Sequence, residues 1–415
     1  MMHVFIEAMV KIALMVGGLM TAAAYLVLLE RRVAAWVQDR RGPNRVGIPL
    51  TKISLWGLGQ PLADGLKFIF KEEYTPAHVD RWLYTIAPLS ILAAALATFA
   101  VIPFGSLIPP IDIGGVSADG MSAPQSPPIQ LVVAPGVDVG MVYVFALSSM
   151  AVYGVILGGW ASNNKYSFLG GLRSSAQLIA YEIPLSLGIL GVVLASGSLR
   201  LENIIDQQAT TGVWNFAVQP LGFIVFMIAA FAESARLPFD LPEAEQELIG
   251  GYHTEYSGMR LLLYLIAEFL HMVTAAFLIV ILFLGGWHLW GITGSGSDVT
   301  WVTAILRVLV LSGKVLATIF FMMMVRWSWP RFRFDQLMAL AWKVMLPLGL
   351  VNLVVMAFVV EYSDWFSGRG VWAAVALGWT VLVLSCVGIA LLAPLSTDNR
   401  PRQGIEIEPK QRVFS

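Results

Sequence analysis

Long apolar runs constrain the fold of this chain more than any other feature of its sequence. A transmembrane helix needs about 20 consecutive apolar residues, and we identify nine runs of about that length, of which the fifth is the shortest. The runs are Ile12–Leu29, Trp82–Phe104, Val139–Trp160, Leu178–Ala195, Phe216–Ala232, Leu261–Leu284, Val302–Val325, Leu337–Val360 and Val371–Ala393. They lack the alternation of a barrel strand, and backbone that faces lipid must form its hydrogen bonds within one segment. The sequence therefore predicts an all-α polytopic membrane protein.

The charge composition excludes several other classes of protein. Only 13 % of the 415 residues are charged, whereas soluble domains carry about 25 %, which excludes a soluble multi-domain enzyme. The net charge of −1 gives no basic excess that would indicate a nucleic-acid partner. The single cysteine, Cys386, excludes disulfides within the chain and any CxxC cluster. We therefore expect no metal site and no redox cofactor held by this chain.

The basic residues are sorted between alternate loops. Twenty of the 26 Lys and Arg residues lie in the odd-numbered loops and the C-terminal tail, and two, Arg200 and Arg369, lie in the even-numbered loops. Loops rich in Lys and Arg stay in the cytoplasm. This distribution predicts a multi-pass protein with an external N-terminus and a cytoplasmic C-terminus.

Several ionisable side chains lie within or at the ends of the apolar runs, where a charge is costly. These residues are Glu182, Glu233, Glu268, His271, Arg307, Lys314 and Lys343. Such groups either pair with one another between helices or line a path for protons or ions. For a single residue both explanations stay open, but the size of the whole set favours a path.

The loop after the fifth run carries a row of carboxylates among apolar residues. Pro242 can begin a helix, in which Glu243 and Glu247 lie on one face at i, i+4 and Glu245 points away from them. Like charges this close raise one another's pKa, so the row could hold and pass protons near neutral pH. A solvated acidic loop is the alternative, but interleaved apolar residues such as Leu248 indicate that the loop packs against another surface.

A set of long motifs in the loops and spans is distinctive. Its segments are Glu30–Gly47, Ala63–Lys67, Lys71–Glu72, Ala87–Pro88, Tyr181–Pro184, Glu233–Glu255, Arg326–Met338 and Trp342–Lys343. Together they closely resemble the H-type membrane subunits of proton-pumping NADH:quinone oxidoreductase, respiratory complex I. The resemblance runs from about Tyr25 to Val360, which is most of the chain. It implies a protein that joins the peripheral electron-transfer arm of the complex to the membrane arm.

The resemblance also implies roles for individual residues. A tunnel for ubiquinone or menaquinone, enclosed together with the quinone-pocket subunits, is expected to pass Arg31, Trp36, Asp64, Arg236, Phe239, Arg326 and Arg331. A proton path into the membrane arm is expected to include Glu30, Asp64, Glu72, Glu182, Glu233, Glu243, Glu245, Glu247, Glu255, Glu268, Lys314 and Lys343. Quinone is then the substrate, and its head group is expected to be reduced on a neighbouring chain of the complex. This chain would act as part of an enzyme without supplying a catalytic residue of its own.

The resemblance further implies a domain organisation and a set of partners. Residues 1–360 form the expected eight-helix core, with long cytoplasmic loops at 30–81 and 233–260. Residues 361–395 hold an additional transmembrane helix, and residues 396–415 form a cytoplasmic polar tail. The expected partners are the peripheral quinone-site and iron–sulfur subunits, the neighbouring membrane-arm subunits and the lipid of a bacterial inner membrane. Within the first loop, Thr51–Phe70 is typical of an amphipathic helix that lies either at the membrane interface or buried under the loop.

Other functions remain open. The same scaffold could serve an energy-converting hydrogenase or a related quinone-linked complex with a different electron donor. A stand-alone ion or proton transporter would usually carry internal repeats, and the sequence has none that we can detect. An intramembrane enzyme would need a nucleophile or a metal constellation, and neither is evident in the sequence.

Overall fold

The computed structural model describes residues 2–47, 56–109, 129–240, 250–290, 292–293, 300–362 and 370–392, most of them in helices. The helices are α1 (Met2–Val37), α2 (Gln60–Phe70), α3 (Arg81–Thr98), α4 (Gly140–Ala161), α5 (Lys165–Ser196), α6 (Leu201–Thr211), α7 (Asn215–Val218), α8 (Pro220–Glu233), α9 (Gly258–Phe283), α10 (Trp301–Ser328), α11 (Phe334–Ala339), α12 (Leu346–Glu361) and α13 (Gly370–Leu392). A 3-10 turn spans Gly251–His253, and a π-helical turn, Leu340–Met345, joins α11 to α12. Two short strands, β1 (Leu107–Ile108) and β2 (Ile129–Gln130), pair antiparallel.

Eight helices of the described residues are long and apolar enough to cross a membrane. They are Ile6–Val37, Arg81–Thr98, Gly140–Ala161, Lys165–Ser196, Gly258–Phe283, Trp301–Ser328, Phe334–Glu361 and Val371–Leu391. Each overlaps one of the apolar runs in the sequence. The prediction of an all-α polytopic membrane protein is therefore confirmed.

The fifth predicted span differs from the others because the structure divides it. Residues Asn215–Val218 form α7, and a separate helix, α8, begins at Pro220 and ends at Glu233. Proline has no backbone N–H and cannot continue a helix that begins before it, which separates the two segments. With 14 residues, α8 is about 21 Å long, which is shorter than a hydrocarbon core of about 30 Å.

The helices differ strongly in burial. The central helix is α9, which packs against α3, α8 and α10 and whose side chains from Ile279 to Phe283 are fully buried. The last helix, α13, lies at the edge of the bundle and contacts α7, α8 and α12, while Trp372 and Leu384 are exposed. Because α13 packs on α7 and α8, it covers the divided fifth span.

The loops gather on two sides of the bundle. On one side, Asn163 Nδ2, between α4 and α5, donates to the carbonyl of His78, before α3, over 3.1 Å. On the same side, the backbone N–H of Phe332, after α10, donates to the carbonyl of Pro238, after α8, over 3.2 Å. This side also holds the first loop with its many Lys and Arg residues, and we name it the basic side. The other side, which holds β1, β2 and α6, is the opposite side.

A close backbone contact presses the start of α9 against α5. A Cβ atom at Gly170 would lie 2.7 Å from the backbone of Gly251, so only glycine fits there. One turn earlier, Ser167 Oγ donates to the carbonyl of Tyr252 over 3.2 Å. The 3-10 turn therefore sits directly on α5 and delivers Tyr252 to the interior of the bundle.

The amphipathic helix α2 lies on the basic side. Its residues Leu62, Leu66 and Ile69 are exposed, and none of the described side chains of α2 is buried. The interfacial alternative for this helix therefore fits, and the buried alternative does not. Residues 51–55 of the predicted helix lie outside the described residues.

Candidate functional site

A cavity of about 680 Å³ lies between α1, α2 and α9 near the basic side. Part of its wall is apolar and part is charged. The apolar part includes Met20, Ala23, Val27, Ile266 and Phe269. The charged part consists of Glu30, Arg31, Arg40, Asp64, Arg236, Glu268 and Arg326. The cavity therefore suits an elongated molecule with an apolar tail and a polar head.

Four buried side chains form the charged network at the polar end of this cavity: Glu30, Arg236, Glu268 and Arg326. Arg236 Nη1 lies 3.3 Å from Glu30 Oε2, and Arg326 forms a close ion pair with the same carboxylate. Arg236 Nη2 lies 3.8 Å from Glu268 Oε2. All four side chains are 7–11 % exposed. Since two carboxylates face two guanidinium groups, the network holds four charges with no net charge.

Burial makes the charged network sensitive to the loss of any member. Desolvation of each ion is unfavourable, and pairing offsets it only while all partners are present. Removing one partner of a buried pair typically costs about 3–5 kcal/mol because the other charge is left uncompensated. The network also ties together α1, α9, α10 and the loop after α8, so its geometry depends on how these elements pack.

The loop after α8 positions Arg236 for this role. Gln177 Nε2, on α5, donates to the carbonyls of Ala232 and Phe239 over 3.0 and 2.9 Å and so holds both ends of the loop. The guanidinium group of Arg236 lies 4.3 Å from the ring centroid of Phe269, a favourable cation–π distance. These contacts direct Arg236 toward the carboxylates of the charged network.

Aromatic rings pack beside the charged network. The ring centroid of Phe239 lies 5.5 Å from that of Tyr181 on α5 and 5.7 Å from that of Phe332 after α10. Tyr181 donates its hydroxyl to the carbonyl of Leu337 over 2.9 Å. Arg331 is half-buried in the same segment as Phe332. The rings therefore hold the segments after α8 and α10 together under the cavity.

The mouth of the cavity carries a more exposed ion pair. Arg31 Nη1 lies 2.7 Å from Asp64 Oδ2, with the two side chains 46 % and 26 % exposed. Gln60 Nε2 donates to the other carboxylate oxygen of Asp64 over 3.0 Å. Trp36, near the end of α1, is exposed on the basic side. These residues lie where a molecule would pass between α1 and α2.

A second group of carboxylates lies within the bundle. On α4, Ser148 donates a hydrogen bond to Glu233, at the end of α8, and Ser149 donates one to Glu182, on α5. All four side chains line one cavity of about 20 Å³. A water molecule needs about 10–15 Å³ and several polar partners, so this cavity has room for one.

Another cavity, of about 50 Å³, joins the two groups of carboxylates. Its polar lining includes Ser148, Ser174, Glu233, Tyr252, Tyr264, Glu268 and His271. Glu268 belongs also to the charged network, and Glu233 belongs also to the second group. The structure therefore arranges Glu30, Glu268, Glu233 and Glu182 as a row of carboxylates, which we name the acidic row.

Glu255 lies on the basic side, next to a tyrosine stack. Its carboxylate accepts a hydrogen bond from Asn164 Nδ2 over 2.6 Å, and its carbonyl accepts one from the Tyr84 hydroxyl over 2.6 Å. The ring of Tyr84 stacks on Tyr256 at a centroid distance of 4.1 Å. Burial raises the pKa of the Tyr256 phenol above its ordinary value, so it stays protonated and can act as a donor.

Some residues of the predicted path lie elsewhere. Glu72 and Lys343 are exposed. Lys314, on α10, donates through Nζ to the carbonyls of Leu284, Gly286 and His288 over 2.7, 3.0 and 2.6 Å. Glu243, Glu245 and Glu247 lie outside the described residues.

Sequence reasoning did not single out the hydroxyl groups of the site. These belong to Ser148, Ser149, Ser174, Tyr252 and Tyr264. Two consecutive serines inside an apolar run were a visible signal. Their carboxylate partners could not be read from the sequence, because they lie 85 and 33 residues away along the chain.

Known proteins similar to this chain share most of its length. A family described as NADH dehydrogenase matches residues 10–357. The first of two H-type NADH-quinone oxidoreductase subunits of Geobacter metallireducens is 45 % identical over 349 residues, covering 84 % of this chain and 95 % of that protein. The second H-type protein of Geobacter sulfurreducens is 44 % identical over 352 residues, covering 85 % and 96 %. The first H-type protein of Cytophaga hutchinsonii is 45 % identical over 333 residues, covering 80 % and 90 %.

Proposed function

The chain belongs to the NADH dehydrogenase family, as its motifs predicted, and we propose that it forms the membrane part of a quinone-access tunnel and couples quinone reduction to proton translocation. The relatives are named as subunits of NADH-quinone oxidoreductase, so the chain is a membrane subunit that assembles with others of that complex. Those names favour this function over a hydrogenase component or a stand-alone transporter.

The cavity between α1, α2 and α9 is the observation that carries the proposal. Quinones of respiratory membranes have a long apolar tail and a small polar head. The apolar wall around Val27 and Ile266 fits the tail, and the polar end at Arg236 and Glu30 fits the head. Buried guanidinium groups can donate hydrogen bonds to a carbonyl oxygen of the head as it passes.

The partner subunits complete the tunnel on the basic side. The exposed apolar face of α2 and the exposed ring of Trp36 offer a surface for the quinone-pocket subunits, which carry the electrons. Asp64, Phe239 and Arg331 line or support the passage toward that surface. The basic side then faces the cytoplasm, in accord with the distribution of Lys and Arg in the loops.

The acidic row is the proposed route by which the quinone site acts on the membrane arm. When the quinone head takes up electrons and protons, the charge next to the charged network changes. Carboxylates respond to a nearby charge by a change in pKa, so Glu268, Glu233 and Glu182 shift their protonation in turn. Glu243, Glu245, Glu247 and Glu255 supply protons from the cytoplasmic loop in this proposal.

Filling the cavity tests the tunnel directly. In the intact complex, Val27→Trp places an indole in the apolar wall, and we expect the KM for a long-tailed quinone to rise about tenfold. The KM for a short-tailed quinone should change less, because only the tail needs the whole passage. Leu14→Trp, at an exposed position of the same helix outside this cavity, is the matched control. An unchanged KM for both quinones in the Val27 variant would refute the tunnel.

A further inference from the structure

Two adjacent serines on α4 contact two different carboxylates. Ser148 Oγ donates to Glu233 Oε1, and Ser149 Oγ donates to Glu182 Oε1. Consecutive residues of a helix are turned by about 100° from each other, so the two hydroxyl groups reach two neighbouring helices, α8 and α5. The serine pair is thus the point at which α4 touches the acidic row on both sides.

The two serines differ in their other contacts. Ser149 Oγ lies 3.0 Å from the carbonyl oxygen of Phe145, one turn earlier on α4. A serine hydroxyl has one proton and can donate to one acceptor at a time, but it can accept as well. Ser149 therefore has two competing acceptors, Glu182 and the Phe145 carbonyl. Ser148 has, within the described part of the chain, the bond to Glu233 and no competing carbonyl.

We propose that the Ser149 hydroxyl is a positioning group that reverses direction with the protonation of Glu182. When Glu182 is ionised, Ser149 donates to its carboxylate. When Glu182 takes up a proton, the new O–H donates to Ser149 Oγ, and the Ser149 proton turns to the Phe145 carbonyl. The Glu182–Ser149 hydrogen bond persists in both states, so the carboxyl group keeps its position while it gains or releases a proton. This inference rests on the proposed role of Glu182 in proton translocation.

The cavity at the serine pair gives this reversal a consequence. Its volume of about 20 Å³ accommodates one water molecule, which would touch Ser148, Ser149, Glu182 and Glu233. A carboxyl group held by Ser149 keeps one oxygen directed at the cavity in both protonation states. Proton exchange with Glu233 then needs rotation of a hydroxyl group and a water molecule, not movement of a helix.

Several titratable groups surround the pair and belong in any test that varies pH. Glu182, on α5, faces Glu233, at the end of α8, across the small cavity. Glu233 in turn shares the larger cavity with Glu268, His271 and Tyr264 of α9 and with Tyr252 of the 3-10 turn. A change in the pH profile is therefore assigned to the serine only when variants that differ in one hydroxyl group are compared.

A matched pair of variants isolates the hydroxyl group. Thr and Val have nearly the same shape and differ in a hydroxyl group, so we compare Ser149→Thr with Ser149→Val in the intact complex reconstituted in vesicles. The measurement is the rate of proton translocation as a function of pH. Without the hydroxyl donor the ionised form of Glu182 is less stable, so this carboxylate takes up its proton at higher pH. The profile of the Val variant should shift to higher pH by about one unit, and the Thr variant should follow the wild type.

The serine at position 175 provides the control for loss of a buried hydroxyl. Ser175 Oγ donates to the carbonyl of Leu172 over 3.0 Å and is buried on α5. Ser175→Ala should leave the pH profile where it is. Equal profiles for Thr and Val at position 149, whether both shifted or both normal, would overturn the inference. Glu182→Gln separates this outcome from a failure of the proposed function, because normal proton translocation in that variant would remove Glu182 from the path altogether.

Discussion

Buried charges are satisfied in two different ways in the two halves of this molecule. Near the basic side, Glu30 and Glu268 pair with the guanidinium groups of Arg236 and Arg326. Toward the opposite side, the ammonium group of Lys314 is satisfied by carbonyl oxygens that follow the end of α9. One group of charges is thus held by other charges, and the other is held by backbone.

The difference bears on what each region can do. Side-chain pairs can change partners and protonation state, and the carboxylates among them can exchange protons. Backbone carbonyls do not titrate, and Lys314 uses all three of its N–H donors on them. Lys314 also lies 4.4 Å from a ring centroid of Trp214, so it has the contacts of a cap on the C-terminal end of α9.

The surroundings of Lys314 fit a fixed structural role. His288, whose carbonyl accepts one of the three hydrogen bonds, is a loop residue between α9 and α10. Burial lowers the pKa of its imidazole, and the nearby cations Lys314 and Arg307 lower it further, so His288 stays neutral near pH 7. A neutral ring beside two cations adds no positive charge to the region.

Breaking the charged network should have the largest effect. Arg236→Met removes the guanidinium group that contacts both Glu30 and Glu268, and it leaves buried carboxylates uncompensated. We expect a destabilisation of about 3–5 kcal/mol, seen as a lower temperature of inactivation of the assembled complex. Arg31→Met, which breaks the exposed pair with Asp64, is the control and should cost at most about 1 kcal/mol. Equal losses in the two variants would show that burial does not distinguish the two regions.

Removing a carboxylate from the acidic row should affect coupling more than stability. Glu182→Gln keeps the shape of the side chain and removes its exchangeable charge. We expect the rate of proton translocation, measured in vesicles, to fall about 100-fold, the lower end of what a positioned proton-transfer group contributes. Glu202→Gln, on α6 at the opposite side, should leave the rate unchanged. Normal proton translocation and normal quinone reduction with Gln at position 182 would remove this residue from the path.

Removing the backbone-bound cation should have the smallest effect on activity. Lys314→Met leaves three carbonyls without their donor, so we expect a loss of stability of about 1–3 kcal/mol. The number of protons moved per quinone reduced should stay the same, because the carbonyls hold no exchangeable proton. Lys343→Met, at an exposed position, should change stability by less than about 0.5 kcal/mol. A lower proton stoichiometry in the Lys314 variant would place this residue in the proton path, as the family resemblance predicts.

The sequence was a good guide to the helices and a poorer guide to their interruptions. Hydropathy located Leu261–Leu284 within two or three residues of α9, because a long apolar run reflects its local surroundings. The same criterion merged α7 and α8 into one span, since Pro220 lies among apolar residues and does not lower the average hydropathy. Where the chain turns depended on the missing N–H of one residue and on the packing of α13.

The candidate site was predicted residue by residue better than it was predicted as a site. The motifs singled out Glu30, Arg236, Glu268 and Arg326, and these four meet in the charged network. The motifs did not indicate that Lys314 lies apart from them, because a charge inside a span has the same appearance in the sequence whichever partner it has. The serine pair was visible but had no assigned partner.

By itself the sequence determined the class of fold, the number of long apolar segments and the family, because each depends on residues that are near one another along the chain. Only the tertiary structure decided which charges meet. Glu30 reaches Arg236 across 206 residues and Arg326 across 296 residues, and such contacts exist only after α1, α9 and α10 have packed. A low share of charged residues made each of these side chains conspicuous in the sequence, but their partners were set by the geometry of the helix bundle.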